Sequence, residues 1–561
     1  MADNNLWLRH LLNLVVQVGL AAYVFWKSDE MHSMQLLVSG VLVFVAGVIK
    51  YGERTWSLKC GRFKSLESST GKHYNYKKGF PEAKDSDYDY TKTLLNALSS
   101  MQNVHNVFAA RNPFLTGTDS SSSITAPDAV HDTKKLLKVV ELELAMIYDD
   151  LYKKALVLRT RIGIILRCIA HTCSFVAFAF FITSDKQRYN RVDVAITYSL
   201  FIGAIFLDLS SMFIFIMSPW TWVWLKALKC NWLASLSWFL FSSDIGWPEK
   251  RPRWSNSIGQ YDLLSWVSGG DNKPRSCNQQ VMFQVRKLVS LVGVGKENLF
   301  WMSKILDTKN VEADEKIMEF VVKGISQLRN EFSEETRQQW PNLSPLLKKI
   351  RIYYVVDIGC AILVMHIFTT AFLNSMKHTT GGKANDMVEV CRKLSNYMMY
   401  LFVNNPSMLP LNASSEATVA EFAKSFAKSR RELSSNLTIG GLYKIIEKHL
   451  DDEKPSRGTL EELYKMVLDA DVKPSEGALE EMAAMWLRLL IFSAGRSNGK
   501  VHAAELAKGG ELITFTWLLM AREGLGESES KRVRMTSTIS FDDSAGADTD
   551  LKEAYAFFFP G

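Results

Sequence analysis

Two long apolar stretches decide the fold: IGIILRCIAHTCSFVAFAFFI at residues 162–182 and VAITYSLFIGAIFLDLSSMFIFIM at residues 194–217. Each reaches about 20 residues or more, which is the length that an α-helix needs to cross a hydrocarbon layer of about 30 Å at roughly 1.5 Å per residue. Only a short connection separates the two stretches. The sequence therefore predicts a transmembrane hairpin over residues 161–218.

Two shorter apolar runs lie near the N-terminus. The first, Leu11–Trp26, is interrupted by Asn13 and Gln17, and the second is Leu36–Ile49. Each is close to the shortest length that spans a bilayer. The start of the chain lacks the basic segment, short apolar core and small-residue cleavage site of a removable signal peptide. We therefore expect both runs to form a second transmembrane hairpin over residues 1–50.

Basic residues beside the apolar runs predict the orientation, because Lys and Arg favour the cytosolic side of a membrane. Such residues follow the second run, precede the third and follow the fourth. They are Lys50, Arg54, Lys59, Arg62 and Lys64; Lys153, Lys154, Arg159 and Arg161; and Lys226, Lys229, Lys250, Arg251 and Arg253. Lys186, Arg188 and Arg191, between the third and fourth runs, favour the opposite orientation but are fewer. We expect the loop 51–160, the chain after the fourth run and both termini to face the cytosol.

The stretches outside the apolar runs differ in composition. Within residues 51–160, the Gly/Ser/Thr-rich segment Gly117–Thr125 lacks the apolar content to pack and predicts a disordered linker. The next segment, Thr133–Leu158, has helical apolar periodicity and leads directly into the third run, which predicts one long helix that enters the membrane. Residues 527–561 are rich in Ser, Asp and Gly and predict a disordered tail.

Two regions after the fourth run leave alternatives open. Trp220–Phe241 is rich in tryptophan, which prefers the headgroup boundary, so an interfacial helix is favoured over a further partial span. We expect residues 219–345 to form interfacial and cytosolic helices. Tyr353–Leu373 is long enough to cross a bilayer but contains two ionisable residues. We favour a buried core helix within a helical cytosolic domain, residues 346–526, because amphipathic helices come after it.

The apolar runs and the helical periodicity together predict an all-α fold class, with transmembrane helices followed by a helical cytosolic domain. The net charge of +7 is modest for 561 residues, and the basic residues cluster beside apolar runs. Nucleic-acid binding is therefore not expected. The seven cysteines are widely spread and form no CxxC pair, which indicates a reducing compartment rather than a disulfide framework.

No motif predicts catalysis. Residues 495–499 match the GxSxG nucleophile elbow, but that elbow needs a preceding strand and the approach here is helical, so we favour a turn between helices. Gly499-Lys500 and Gly295-Lys296 lack the upstream glycine and the Ser/Thr of a phosphate loop. Cys168 and His171 share a helix face, which is too few ligands for a closed metal site. We expect no enzyme activity, no cofactor and no metal site.

Ionisable residues inside the predicted spans are the candidate site, because a charge at the centre of a bilayer costs at least about 2.5 kcal/mol. Arg167 and His171 lie one helical turn apart in the third run, and Asp208 lies in the fourth. In an antiparallel hairpin His171 and Asp208 have similar depth. The sequence therefore predicts an intramembrane polar cluster in which Arg167 and Asp208 form a charge pair. A structural clamp is favoured over a proton or solute path.

Short segments over most of the chain are specific enough to identify relatives. They are Asn5–Leu11, Gln17-Val18, Tyr23-Val24, Lys50–Trp56, Glu141–Leu144, Tyr148-Asp149, Asp193–Tyr198, Trp254-Ser255 and Gln260-Tyr261, then Leu394–Leu401, Pro406–Pro410, His502-Ala503, Gly509–Leu512 and Trp517–Leu519. The N-terminal group resembles plant multi-pass membrane proteins of the domain-of-unknown-function family DUF4220. The C-terminal group is similar to the companion family DUF594.

The resemblance implies a membrane protein without an established activity, so it supplies no catalytic or ligand residues. Relatives of this kind usually have further membrane helices before the segment that matches Asn5–Leu11, and the membrane domain is therefore interpreted as N-terminally truncated. The family segment that corresponds to Tyr353–Leu373 looks like part of the soluble domain. This likeness also favours a buried core helix there.

These observations lead to one functional expectation and one alternative. We expect a scaffold or signalling protein of the plasma membrane or an endomembrane, with the lipid bilayer and unidentified proteins as its partners. The alternative is a transporter or channel subunit that uses the intramembrane polar residues. An enzyme ranks third, because no nucleophile, metal-ligand set or phosphate loop is present.

Overall fold

Over the residues that it describes, the computed structural model is all-α apart from one two-stranded ribbon. With a few single residues between them, the structure describes residues 7–27, 34–61, 89–109, 129–152, 160–185, 189–217, 230–242, 257–261, 307–334, 340–347, 358–376, 382–411, 472–506 and 512–523. The predicted linker Gly117–Thr125 and the predicted tail, residues 527–561, lie outside these ranges.

The chain divides into two compact units. The first unit comprises Met1–Ala109 and Lys138–Trp254, and the second comprises Ala110–Leu137 and Ser255–Gly561. The elements of the first unit are α1 (Trp7–Lys27), α2 (Met34–Cys60), α3 (Asp89–Phe108), the larger part of α4 (Ala129–Tyr152), α5 (Arg161–Thr183), α6 (Arg191–Ile216) and α7 (Asn231–Ser242). The elements of the second unit are β1 (Ser257–Tyr261), β2 (Thr308–Glu312), α8 (Glu315–Glu334), α9 (Ile358–Met376), α10 (Gly382–Asn404), α11 (Glu476–Arg496), α12 (Gly499–Leu506) and α13 (Leu512–Arg522).

Five described helices are long and apolar enough to cross a membrane: α1, α2, α5, α6 and α9. They fall into two groups by burial. In the first four, between 0% and 17% of the apolar window is buried inside the chain, whereas in α9 the share is 78%. Apolar side chains that point outward need hydrocarbon around them, while those of α9 already have protein partners. The four predicted apolar spans are confirmed as helices, and α9 is a core helix of the second unit.

The contacts of α5 establish an antiparallel arrangement with two neighbouring helices. Along the α5–α6 pair, the ring of Phe181 lies 5.0 Å from that of Tyr198, and Phe178 lies 5.4 Å from Phe201. The residue number therefore rises in one helix as it falls in the other, as the sequence predicted. The more extensive partner of α5 is α2, however, and the hydroxyl of Ser39 donates to the carbonyl of Ala177 at 2.8 Å. Sequence periodicity alone had not indicated this second pairing.

The prediction of one continuous helix from Thr133 into the third apolar run is wrong. Helix α4 ends at Tyr152, and Thr160 has an extended backbone with φ −81° and ψ 143°. Its hydroxyl accepts a hydrogen bond from the backbone N–H of Gly163, which satisfies one of the free donors at a helix start. Threonine is a good N-cap, so α5 begins as a new helix.

The tryptophan-rich segment after α6 contains a short helix rather than a span. Helix α7 has 12 residues, which is about 18 Å and too short to cross a bilayer. The hydroxyls of Thr221 and Ser237 each donate at 2.6 Å to a carbonyl in the last turn of α6, Phe215 and Ile216 respectively. Trp232 is 77% exposed on α7. These features fit the predicted interfacial helix.

The second unit contains a two-stranded ribbon, whereas the sequence predicted only helices over residues 219–345. Strands β1 and β2 are antiparallel, with Ile258 opposite Val311. Strand β1 packs on α10, where the ring of Tyr400 would lie 2.5 Å from any Cβ built on Gly259. Glycine at this position therefore permits the close approach. Strands of five residues provide too little alternation to predict from sequence.

The core of the second unit forms between α9, α10, α11 and α13. The Trp486 indole on α11 donates to the hydroxyl of Thr369 on α9 at 3.0 Å, and both residues are buried. The backbone N–H of Ile513 donates to the hydroxyl of Tyr397 at 3.0 Å. Each fully buried large apolar side chain contributes about 1.5–3 kcal/mol to folding. The unit therefore has a hydrophobic core of its own, and these buried polar groups are paired within it.

Candidate functional site: a charge-balanced cluster in the helix bundle

A cluster of polar side chains joins α2, α5 and α6 within the first unit. We call it the bundle cluster. Its members are Lys50 and Glu53 on α2, Arg167 and His171 on α5, and Asp208 and Ser211 on α6. On each helix the two members are three or four residues apart, so they lie on one face. Each helix therefore contributes one short polar patch to an otherwise apolar surface.

Asp208 is the centre of the first half of the bundle cluster. Its Oδ2 atom lies 2.6 Å from Lys50 Nζ and 3.4 Å from His171 Nδ1. The carboxylate side chain is 14% exposed and the ammonium side chain 34% exposed. A charge-assisted hydrogen bond of this length between largely covered groups is stronger than one between neutral groups. The pair connects the second and fourth apolar helices.

Arg167 is the centre of the second half. Its guanidinium lies 3.7 Å from Glu53 Oε1 and donates a hydrogen bond to the hydroxyl of Ser211. Its Nε atom also donates to His171 Nε2 at 3.4 Å. The planar guanidinium carries five N–H donors, so it can hold several partners at once. Arg167 therefore ties α5 to both neighbours.

His171 links the two halves through its two ring nitrogens. A guanidinium can only donate, so Nε2 must accept the bond from Arg167. Its Nδ1 atom lies 3.4 Å from the Asp208 carboxylate. The ring therefore stands between the cation of one half and the anion of the other.

The charges of the bundle cluster balance. Two cations, Lys50 and Arg167, face two carboxylates, Glu53 and Asp208, around the His171 ring. Glu53 is 6% exposed and Arg167 is 17% exposed. Unpaired charges in such surroundings are costly, and nearby opposite charges offset that cost. The network therefore joins three helices while adding no net charge to the bundle.

All three helices present the bundle cluster at a similar depth. Lys50 lies ten residues before the end of α2, His171 ten residues after the start of α5, and Asp208 eight residues before the end of α6. At roughly 1.5 Å per residue, these positions are about 12–15 Å from the helix ends. The cluster therefore lies well inside all three apolar helices.

The structure brings the predicted residues Arg167, His171 and Asp208 together, but with different partners. The predicted direct pair of Arg167 with Asp208 does not form: among the described contacts, Arg167 meets Glu53 and Asp208 meets Lys50. The second apolar run ends at Ile49, and the sequence predicted a loop over residues 51–160. Helix α2 continues to Cys60, and this extension supplies the two missing residues. The available signal for this extension was a Lys and a Glu three residues apart, directly after the apolar run.

A second buried polar cluster joins α3 and α4. His105 Nε2 lies 3.0 Å from Asp150 Oδ2, with the two side chains 3% and 0% exposed. Earlier on α3, the hydroxyl of Ser100 donates to the Glu143 carboxylate, which is also fully buried. Glu143 and Asp150 are seven residues apart and share one face of α4. These contacts connect two helices, which is a structural role.

The hydrolase-like motif is structural, which confirms the predicted turn between helices. Helix α11 ends at Arg496, Ser497 is its C-cap and α12 begins at Gly499. The hydroxyl of Ser497 donates to the carbonyl of Met408 at 2.8 Å and is not poised as a nucleophile. The turn fastens α11 to the segment after α10.

His502 is another buried histidine with structural partners. Its ring stacks on Trp517 at 4.3 Å, its Nε2 lies 3.1 Å from the carbonyl of Ala494, and its Nδ1 lies 3.1 Å from the hydroxyl of Thr514. Burial lowers the pKa of His502 to about 3, and the bond to the Ala494 carbonyl only partly opposes that effect. The ring is therefore neutral and held from three sides.

Within the described ranges, no group of three or more His, Cys, Asp or Glu side chains could hold a metal ion.

Two family models match the chain. The model described as "Domain of unknown function (DUF4220)" matches residues 1–266, and that described as "Protein of unknown function, DUF594" matches residues 472–525. The first match contains the whole bundle cluster, and the second contains α11, α12 and α13. No curated protein and no solved structure matches the chain.

Proposed function

The chain belongs to the DUF4220 family and carries a C-terminal DUF594 domain, and we propose that it is a membrane-anchored scaffold or signalling protein. In this proposal the bundle of α1, α2, α5 and α6 is the multi-pass anchor. The helical second unit is the part that meets protein partners. The basic residues that flank the apolar runs support a cytosolic position for this unit.

The observation that carries the proposal is the internal pairing of the bundle cluster. Lys50 lies 2.6 Å from Asp208, Arg167 contacts Glu53, and His171 contacts one member of each pair. A path for ions or protons needs groups that can exchange partners with the permeating species. Here the charged groups hold one another across three helices, which is the chemistry of a clamp.

The second unit supports the proposal through its packing. Large core side chains such as Trp486, Tyr397, Phe402 and Phe515 are essentially inaccessible to solvent, so the unit does not need lipid to cover them. Lysines on its surface remain accessible, with Lys316 60% and Lys323 62% exposed. A helical unit with its own core and a charged surface can stand in water, where its surface is open to partner proteins.

An enzymatic role is not part of the proposal. The serine of the GxSxG motif and His502, which lies five residues after it, both engage in hydrogen bonds that maintain helix packing. Neither contacts the other among the described bonds. A hydrolase would need these groups aligned and accessible.

Transport is the second candidate, favoured by one observation. The bundle cluster lies well inside three apolar helices, where ionisable residues often mark a transport path. Transport would require the Lys50–Asp208 pair to open and to exchange its proton or ion during a cycle. The two candidates therefore differ in whether that pair stays closed.

The scaffold proposal is tested by cross-linking in intact membranes. An amine-reactive cross-linker applied to the full chain should connect partner proteins to exposed lysines of the second unit, such as Lys309, Lys316 and Lys323. The sites should be the same in wild type and in the Lys50→Met/Asp208→Leu variant, because the clamp and these lysines belong to different units. Proton or cation flux by the purified chain in proteoliposomes, abolished by Asp208→Asn, would instead establish transport and contradict the scaffold proposal.

A further inference from the structure

Helix α1 carries an exposed seam that the bundle does not cover. Its members are Asn13, Gln17, Leu20 and Val24, at successive spacings of four, three and four residues. We call this set the α1 seam. Leu20 is 64% exposed and Val24 is 58% exposed, and both amide residues are exposed as well. Alternating spacings of three and four residues place these side chains in one line along a helix, as in a coiled-coil contact.

A different face of α1 contacts the bundle. The partly covered residues are Trp7, His10, Leu14, Val18 and Ala21, which face α2. Lys59 of α2 lies 5.1 Å from the centre of the Trp7 ring, so the two helices run antiparallel. At 100° per residue, the α1 seam is turned about 100° from this face. It is therefore available to meet another molecule in the plane of a membrane.

The two exposed amide side chains lie in the interior of α1, where exposure to lipid is unfavourable. Gln17 lies ten residues from Trp7 and ten from Lys27, so it is the central residue of α1. At roughly 1.5 Å per residue it is about 15 Å from either end, in the middle of the hydrocarbon layer. Within the part of the chain that the structure describes, the side chains of Asn13 and Gln17 make no hydrogen bond. Lipid tails cannot supply one, and an unsatisfied amide in hydrocarbon is costly.

We propose that α1 is a self-association helix, whose seam binds the α1 seam of a second copy of this chain. Two copies inserted in the same orientation have parallel α1 helices, so a two-fold axis along the membrane normal brings Asn13 to Asn13 and Gln17 to Gln17. A carboxamide both donates and accepts, so the same group from the partner satisfies it in both senses. Interhelical amide bonds of this kind drive association in lipid.

The other residues of the α1 seam also fit the α1 seam of a second copy of this chain. Leu20 and Val24 continue the line with apolar side chains of a size that packs against its own copy. Arg9 and Lys27 lie near the two ends of the helix, where they can extend to water and lipid phosphate instead of facing each other. Asn13 and Gln17, which the sequence analysis treated only as interruptions of an apolar run, become the specific contacts.

The test measures association of the full chain in bilayers of phosphatidylcholine. Two copies with different fluorophores should show energy transfer that increases with the protein-to-lipid ratio. Asn13→Leu/Gln17→Leu should weaken association about fivefold or more for each amide removed. These changes make the helix more apolar, so insertion is preserved. The matched control is Val15→Leu, which alters the opposite, 63% exposed face without adding a polar group and should leave association unchanged.

A cross-linking measurement locates the contact independently. Leu20→Cys should give a covalent dimer on mild oxidation, whereas Val15→Cys should give no more dimer than the wild-type chain with its native cysteines. The proposal fails if wild type shows no concentration-dependent energy transfer, or if the double leucine variant associates as well as wild type. It also fails if a monomeric chain instead holds a different protein that is lost from the double variant.

Discussion

Lys50 Nζ and Asp208 Oδ2 lie 2.6 Å apart, and this ion pair joins two helices through residues that are 158 positions apart in the chain. The ammonium belongs to the part of α2 that comes after its most apolar residues, and the carboxylate lies in the interior of α6. His171 on α5 completes the contact from the third helix at 3.4 Å. One carboxylate thus fixes the relative positions of three helices, and several consequences can be measured.

Arg167 should be irreplaceable by lysine. Its guanidinium serves Glu53, Ser211 and His171 together, whereas an ammonium offers one compact charge. We expect Arg167→Lys to lower the detergent melting temperature partly, and Arg167→Met to lower it further, because the buried Glu53 then loses this cation. Arg191→Met is the control, since Arg191 is exposed at the start of α6. Equal melting temperatures for Arg167→Lys and wild type would show that the multiple bonds of the guanidinium are unimportant.

His502 should make the chain less stable in mild acid. Burial keeps its pKa at about 3, while an unfolded-chain histidine takes up a proton near 6.5. Between these values the unfolded state binds more protons, so the free energy of unfolding falls as the pH is lowered below about 6.5. From pH 6.5 to 5 the loss is about 2 kcal/mol at roughly 1.4 kcal/mol per pH unit. His502→Gln should remove this part of the pH dependence in denaturant titrations, while an unchanged slope would contradict the assignment.

Helix α9 should be required for a soluble second unit. The bonds of Thr369 to Trp486 and of His366 to Ser395 connect it to α11 and α10. A fragment of residues 385–526 lacks α9 and should aggregate, because it exposes the apolar surface that α9 covers. A fragment of residues 255–526 should be soluble and helical by circular dichroism. Aggregation of the longer fragment, with recovery only in lipid, would show that α9 crosses the membrane.

The sequons at Asn342, Asn412 and Asn436 should remain unglycosylated, because the proposed orientation places them in the cytosol. Asn342 has a further reason: its Nδ2 donates to Glu481 Oε1 at 2.7 Å. The measurement is electrophoretic mobility before and after endoglycosidase treatment. A reporter sequon within a longer loop inserted between residues 184 and 190 should be modified and serves as the positive control. A shift at the native sequons would reverse the orientation.

Apolar run length predicted the four exposed helices because hydropathy depends on local composition alone. The same criterion could not separate α9 from them, since α9 is comparably apolar and differs in being covered by protein. Run length also ended the second helix too early: Lys50 and Glu53 are polar residues, and only their partners on other helices explain their place within α2. Which side chains pair between helices depends on the tertiary structure and cannot be read from one sequence.

Local structure could be predicted where a short motif and the helix before it were enough to indicate it. The turn at residues 495–499 was predicted from the helical approach to the motif. The break before α5 was missed because Thr160 resembles any other polar residue in a periodic segment until its hydroxyl is found to cap Gly163. The β1–β2 ribbon was missed because its stability comes from packing on α10, through Gly259 and Tyr400.

The most direct test of the clamp is a double-mutant cycle on Lys50 and Asp208, with unfolding free energies measured in mild detergent. Lys50→Met or Asp208→Leu alone leaves the other charge without this partner and should cost about 2 kcal/mol or more. The double variant should recover part of the loss, with a coupling energy of about 0.5 kcal/mol or more. Asp193→Leu, at the exposed start of α6, should show no coupling to Lys50→Met. Strictly additive losses at Lys50 and Asp208 would contradict the clamp.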